Sequence, residues 1–473
     1  MSAVHEIGNI MNNERNTFSG SLGFVLAAAG SAVGLGNIWR FPFLAARDGG
    51  GLFLVIYVIL AVTFGFTLLI TEVAVGRRSG QGPLTAYGYF HKKWAFVGLF
   101  SFIVPYFIYP YYCVIGGWVL KYLMTYCAFD SQAAVSDGYF TGFISQQWAP
   151  LFFMTVFAVM CFYIVYKGVE KGIEKYSRII MPALLFLVIA ICVYSLFISH
   201  TDPATGETRT GLDGAAFYFI PSFEGLTLHK FLMITLDAAS QLFFSLSIAM
   251  GIMVTYGSYM KKDVNLGKAI DNIEVFDTMI AILAGLMIIP AVYVFMGTEG
   301  MSAGPGLMFV ALPKVFNSLG AFGEIFGMAF FLMVTFAALT SAVSILEATV
   351  SSCMDKWGWS RKKAVTIMGG TGFLWSILVC LGYNVLYFEV TLPNGATGQI
   401  LDIFDYVTNN LLMPTLSILT CILFGWVVKR DFLIGEMRLN GYSFHRKYMY
   451  IVMLRFVVPV ILTVLLLGAF GLY

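Results

Sequence analysis

The sequence predicts an all-α integral membrane protein of eleven transmembrane helices, arranged as two inverted five-helix repeats with helices one and six interrupted. Three observations predict it. Hydrophobic residues make up 59% of the 473-residue chain and charged residues only 11%, which would leave a soluble globule with too little polar surface. Apolar runs of the ~20 residues that a bilayer-spanning helix requires recur along the whole chain. Two of those runs, five apart in order, are broken by small and polar residues.

The runs, numbered as helices one to eleven, cover 19–45, 51–76, 97–127, 149–166, 178–199, 230–259, 271–298, 324–354, 364–386, 402–428 and 448–471. Helix one contains "GSAVGLGNIWRFP" at 30–42, where glycines, a serine, an asparagine and Arg40 interrupt what lipid should require to be a continuous helix. A Gly30 to Gly34 spacing alone also fits close helix packing. Packing glycines, however, do not require an arginine. Helix five follows the basic stretch "KGVEKGIEKYSR" and contains Pro182. Helix six is interrupted at "SLSIAMG", 245–251. Helix seven holds the carboxylate Asp277, helix eight the pair Thr340 and Ser341, and helix ten Asp405.

Interrupted helices in corresponding positions of two halves point to a transporter with inverted repeats and a midplane site. The repeats are expected at about 19–199 and 230–428, with an extra helix at 448–471. Residues 1–18 form an N-terminal segment and 19–473 one membrane domain. The polar "MSAVHEIGNIMNNERNTF" lacks the pattern of a cleaved signal peptide, so helix one should be retained.

Charge placement sets the orientation. Arg15, the loops at 77–93, 167–178, 261–268 and 355–363, and the segment 429–447 share one face and hold about 21 of the 28 Lys and Arg residues. That face is expected to be cytoplasmic, with the N-terminus inside a cell membrane crossed many times. A net charge of +2, polarised across the bilayer, suggests no nucleic-acid partner. Seven scattered cysteines without CxxC spacing indicate neither a disulfide framework nor a metal site. The five histidines fall in loops or termini, and no nucleophile and base pair stands out in the apolar runs, so an enzyme is not expected.

At "GSAVGLGNIWRFP" the chain resembles the neurotransmitter:sodium symporter family. The likeness extends through "GGGLFLVIY" at 49–57, "YPYYCVIGGW" at 109–118, "QLFFSLSIAMGIMVTYGSY" at 241–259, "FAALTSAVSILE" at 336–347 and "DIFDYVTNNLLMP" at 402–414, in the family's order. The resemblance implies symport of an amino acid or amine with two sodium ions by alternating access. Eleven helices are common among the family's bacterial members.

The resemblance places one sodium on the Ala32 carbonyl, Asn37, Ser245, Asp277 and the substrate's own carboxylate. It places the second on carbonyls of Gly30, Val33 and Ala337 with the hydroxyls of Thr340 and Ser341. All are oxygen ligands, as a hard cation needs. Asp277 stands where several relatives have an amide, and Ala281 where chloride-dependent members have a serine. An intramembrane carboxylate is costly and functional by default. Asp277 is therefore expected to supply the fixed charge that chloride supplies elsewhere, although Tyr57, Gln241 and Ser245 still match that anion site. The alternative is a protonated Asp277 bonded within the core.

Gly34 stands where monoamine carriers have an aspartate, which leaves room for a carboxylate on the Leu35 and Gly36 amides and the Tyr112 hydroxyl. The ammonium would meet carbonyls of Ala32, Phe244 and Ser245 and the Ser247 hydroxyl. An α-amino acid satisfies both ends, while a β- or γ-amino acid remains open. The side-chain pocket implied by the resemblance comprises Ile108, Ile115, Phe244, Met250, Ser341 and Ile345. It is uncharged, and flexible Met250 would admit apolar or aromatic side chains. Arg40 and Asp405 resemble the outer gate; Arg15, Tyr259 and Asp355 resemble the inner one. Gly172 and Pro182 match a pattern linked to unwinding of helix five, or simply an ordinary helix start with a packing proline. A receptor that binds an amino acid without moving it is the competing reading of another class.

Overall fold

The computed structural model describes residues 17–136, 138–201, 206–223, 225–297, 307–428, 431–439 and 442–472. Among these residues nine helices are long and apolar enough to cross a membrane: Gly51–Ser79, Lys92–Cys127, Trp148–Lys167, Val169–Phe197, Leu266–Met296, Phe322–Trp357, Arg361–Leu381, Ile400–Val427 and Lys447–Ala469. A bent pair, Ser21–Ala32 with Gly36–Arg47 at 51°, makes a tenth crossing and is helix one. Helix six is also divided, into Leu228–Ser245 and Ile252–Ser258. The second half is too short to span and the first carries His229, Lys230 and Asp237; together they occupy the place of the remaining expected run.

Both interruptions fall where the sequence puts them. Elsewhere the boundaries move. Helix five starts at Val169 rather than 178, because a π-type turn at Val169–Glu174 runs directly into Lys175–Phe197. Pro182 is accommodated inside that helix. Gly172 lies against helix four, since a Cβ there would come within 2.1 Å of the Ile164 carbonyl oxygen.

Helix starts on the basic face carry side-chain caps that satisfy amides without intrahelical partners. Asn265 accepts the Lys268 amide at 3.1 Å, and Ser360 accepts that of Lys363 at 3.4 Å. On the opposite face two short antiparallel hairpins pair Ser199–Thr201 with Thr208–Thr210 and Val390–Thr391 with Thr397–Gly398. The short helix Gly211–Phe219 is capped reciprocally by Thr210 and Asp213. Those bonds hold the Asp213 carboxyl below the usual carboxylate range.

Large apolar side chains such as Ile59, Phe152, Phe186 and Val460 are exposed on the outer helix surfaces. Lipid takes the place of water there, so helix association must come from packing rather than from hydrophobic burial. One very close approach is reciprocal. A Cβ on Gly76 of helix two would stand 1.8 Å from the Val254 carbonyl oxygen of helix six, and one on Gly257 would stand 2.3 Å from that of Val73. Two glycines thus set the second half of helix six directly on the backbone of helix two.

Six of the seven cysteines are buried, as small core residues; Cys127 is exposed. Among the described residues no cluster of metal-ligating side chains occurs.

Gly76→Ala should lower stability at or beyond the upper end of the ~1–3 kcal/mol typical of overpacking, because only backbone can yield. Gly80, by contrast, has φ of +64° with nothing within 4 Å of its Cβ position. Gly80→Ala should therefore cost only about 1 kcal/mol of left-handed strain. Thermal unfolding midpoints of the two variants in one detergent measure the difference.

Candidate functional site

The site grows from the two breaks. Helix one stops at Ala32 and resumes at Gly36. The exposed backbone between them is satisfied by side chains. Asn37 accepts the Gly34 amide at 3.3 Å, the Tyr112 hydroxyl accepts the Leu35 amide at 3.2 Å, and Gln241 Nε2 donates to the Gly36 carbonyl at 3.0 Å. A Cβ on Gly34 would fall 2.6 Å from Ser341 Oγ and 2.8 Å from the Tyr112 hydroxyl. Only glycine leaves those two hydroxyls their present positions.

The break in helix six is more strained. Ser247 and Ala249 have φ of +52° and +60°, a left-handed conformation that costs about 1–2 kcal/mol for each non-glycine residue. Specific bonds hold them there. Ser247 Oγ donates to the Ser31 carbonyl at 3.0 Å, and the Ala249 amide donates to Glu72 Oε1 at 2.8 Å. Ser341 Oγ donates to the same Ser31 carbonyl at 2.9 Å, so one oxygen of helix one receives hydroxyls from helices six and eight.

Asp277 lies fully buried on helix seven. Its Oδ1 accepts Asn37 Nδ2 at 2.8 Å and its Oδ2 accepts Ser245 Oγ at 2.7 Å. Ser245 Oγ in turn accepts Asn37 Nδ2 at 3.0 Å and the Tyr57 hydroxyl at 2.8 Å. Among the described residues no Lys or Arg pairs with this carboxylate. Asn37, Ser245 and Asp277, three of the ligands expected for the first sodium, thus form one bonded cluster beside Ala32, which ends the first half of helix one. In the expected second sodium set, Thr340 Oγ1 donates to the carbonyls of Phe336 and Ala337 at 3.0 and 3.2 Å. The Gly30 Cβ position is 3.5 Å from Thr340 Cβ, so that hydroxyl-bearing turn packs on helix one just before the break. Val33 there is fully buried.

A cavity of about 410 Å³ lies above this cluster, toward the face opposite the basic loops. Leu35, Gly36, Tyr112, Ile115 and Phe244 line it, with an aromatic wall of Trp39, Trp118, Phe140, Phe309 and Tyr383 that the sequence reading did not single out. Ile108, Met250 and Ile345 are buried and do not line it; neither do Ser247 and Ser341, whose hydroxyls are engaged on helix one.

Arg40 and Asp405 both line the cavity without forming an ion pair. Arg40 donates to Ser240 Oγ at 2.8 Å and to the Ser240 carbonyl at 3.3 Å, and its guanidinium lies 5.7 Å from the Phe244 ring centre. Asp405 accepts Asn409 Nδ2, which also donates to the Tyr111 hydroxyl at 3.1 Å.

On the basic face Arg15 lies outside the described residues. Tyr259 donates to Glu347 at 2.6 Å, and Arg361 holds the same carboxylate at 2.5 and 3.1 Å. Asp355 accepts the Gly82 amide. The start of helix one is fixed as well. The Phe18 amide donates to the Tyr259 carbonyl at 3.2 Å, and Ser19 binds Glu174, which Arg178 also holds at 2.6 Å. Glu174, Glu347, Arg361, Ser240 and Glu72 were missed in the sequence. For Glu72 a signal existed, a lone carboxylate in "LLITEVAV".

The chain matches the model of the family described as sodium:neurotransmitter symporter over residues 15–135 and 142–472. It is 34% identical over 466 residues to an uncharacterized sodium-dependent transporter, YhdH, of Bacillus subtilis, covering 96% of this chain and 97% of that one. A sodium- and chloride-dependent GABA transporter 2 of Mus musculus is 26% identical over 406 residues, 76% of this chain and 64% of that one. Among solved structures, MhsT in complex with L-phenylalanine superposes with a TM-score of 0.83 at 36% identity, over 96% of this chain and all of that one.

Ser245→Ala would leave Tyr57 and Asn37 without their shared acceptor and remove a donor to Asp277. A loss of about 1–3 kcal/mol follows from stranding buried polar groups. Tyr57→Phe, which removes one donor cleanly, should cost about 1 kcal/mol. Unfolding midpoints in sodium-free buffer test the order.

Proposed function

The chain is a multi-pass, sodium-dependent transporter belonging to the sodium:neurotransmitter symporter family, and we propose that it imports an apolar or aromatic α-amino acid with sodium, independently of chloride. The observation that carries this reading is Asp277. A carboxylate at membrane depth whose bonding partners among the described residues are an amide and a hydroxyl calls for a cation, and oxygen ligands suit sodium. The proposed first sodium site is Ala32, Asn37, Ser245 and Asp277 with the substrate carboxylate; the proposed second is Gly30, Val33, Ala337, Thr340 and Ser341. With a fixed negative charge at 277 and Ala281 one turn on, no anion is needed for balance.

The amino-acid assignment rests on the Gly34 space below Tyr112, where a substrate carboxylate would take the Leu35 and Gly36 amides. The ammonium would lie against the carbonyls of Ala32, Phe244 and Ser245. L-phenylalanine bound in MhsT supports an aromatic or apolar side chain, which would lie beside Ile115 and Phe244 in the cavity, with Ile108, Met250 and Ile345 buried behind that lining. The basic face is proposed as cytoplasmic, on the Lys and Arg asymmetry. In this reading the pinned start of helix one and the Tyr259, Glu347 and Arg361 network close the inside, while Arg40 and Asp405 stand apart at the outside. Sodium and substrate would then shift the equilibrium only by binding one arrangement better than the other.

Uptake of labelled L-phenylalanine, L-leucine and γ-aminobutyrate into proteoliposomes tests this. Uptake of the first two should vanish when choline replaces sodium and persist when gluconate replaces chloride. Sodium-independent uptake, or γ-aminobutyrate as the preferred cargo, would overturn it. Asp277→Asn should weaken sodium coupling at least tenfold in the sodium concentration for half-maximal uptake, the effect of ~1.4 kcal/mol, or make uptake depend on chloride. Gly34→Ala should abolish substrate binding while leaving the unfolding midpoint within a few degrees.

A further inference from the structure

We propose that a groove on the basic face, away from the substrate path, is a binding site for one anionic phospholipid of the surrounding bilayer. Its volume is about 540 Å³, and it is bounded by Leu84, Thr85 and Gly88 of the short helix Pro83–Phe90, by Ala95, Phe96, Leu99 and Phe102 at the start of helix three, and by Lys356 and Trp357 at the end of helix eight. The wall is apolar and open: Phe96, Leu99 and Trp357 are 47%, 49% and 52% exposed. Scattered exposed apolar residues are ordinary on a membrane protein. A concave group of them ending in lysines is not.

Lys356 lines the groove, and Lys92 and Lys93 occupy the exposed turn that leads from the short helix into it. None of the three has an acidic partner among the described residues. Asp355, next to Lys356, is taken up by the Gly82 amide. Aromatic pairs Trp94 with Phe96 at 5.8 Å and Trp357 with Trp359 at 5.2 Å mark the level where ring edges meet headgroups.

The occupant follows from this division. An acyl chain matches the Leu84, Leu99 and Phe102 surface, and a phosphate headgroup matches the three unpaired ammonium groups. Basic residues flanking membrane helices attract anionic lipid in this way. A zwitterionic lipid would bring its own cation to the lysines and lose that advantage. A soluble anion would leave the apolar wall uncovered.

Native mass spectrometry of the full chain, solubilised and titrated with dioleoyl phosphatidylglycerol or dioleoyl phosphatidylcholine, tests the site. One phosphatidylglycerol should be retained in preference to phosphatidylcholine. Each lysine is worth about fivefold in apparent affinity, so Lys92→Gln, Lys93→Gln and Lys356→Gln combined should lose that lipid. Leu99→Gln, which keeps the lysines and spoils the wall, should also weaken retention. An unfolding midpoint equal to that of the unaltered chain in lipid-free detergent establishes that each variant is folded. Equal retention of both lipids, full retention by the triple lysine variant, or displacement by millimolar inorganic phosphate would overturn the proposal.

Discussion

A backbone group freed at membrane depth has no water to turn to, so the protein itself must supply every partner the broken helices need. The rest of the structure is arranged around that constraint. Tyr112 and Gln241 cover the break in helix one from helices three and six, Asn37 folds back over Gly34, and Glu72 covers the break in helix six from helix two. Because each partner arrives from a different helix, the breaks act as the joints on which the bundle is registered. Ser31 shows this most directly, since its single carbonyl receives hydroxyls from two other helices.

The same constraint separates rigid from movable parts. The reciprocal approach at Gly76 and Gly257 leaves no space for sliding, and Tyr259, Glu347 and Arg361 form a buried, multiply bonded group on the basic face. A buried charge pair is costly to break on one side only, because the other charge is stranded. On the opposite face Arg40 rests on Ser240 and Phe244, and Asp405 on Asn409, with a cavity between them. Each can exchange one partner for another. If these groups gate the path as proposed, the two faces would present barriers of different kinds, one that must be dismantled and one that only has to be drawn together.

How much of this was legible in the sequence depends on how local each signal is. The breaks were legible because Gly, Ser and Asn at membrane depth contradict their own neighbourhood, and so was Asp277, as a carboxylate within an apolar run. Arg40 stood out for the same reason. Its partner did not: Ser240 is an ordinary helical serine until helix one is folded against it. Glu347 and Arg361 lie 14 residues apart, one within helix eight and one in the loop expected after it, and only the turn between helices eight and nine brings them together. The aromatic wall was not legible because Phe140 and Phe309 fall between the expected helices while Trp118 and Tyr383 fall within helices three and nine, so no local signal joins them in a chain with 16% aromatic residues. Helix five was misplaced at its start because Lys and Glu within 169–175 read as loop, whereas Val169, Ile173 and Glu174 are buried against the bundle.

The Asn37, Ser245 and Asp277 cluster joins helices one, six and seven through hydrogen bonds that converge on the carboxylate. An ion added there does more than fill a hole. It would turn two neutral groups and the lone charge they contact into ligands of one centre, so that both broken helices are held by the same ion. The favourable energy of that event depends on how the two breaks sit relative to each other, and any shift of helix one or six changes the ligand distances. A cation bound at this point is therefore sensitive to the global arrangement in a way that a surface ion is not. Under the proposed function, coupling between ion and conformation would then follow from the position of one carboxylate, with no requirement for a separate relay between the proposed site and the proposed gates.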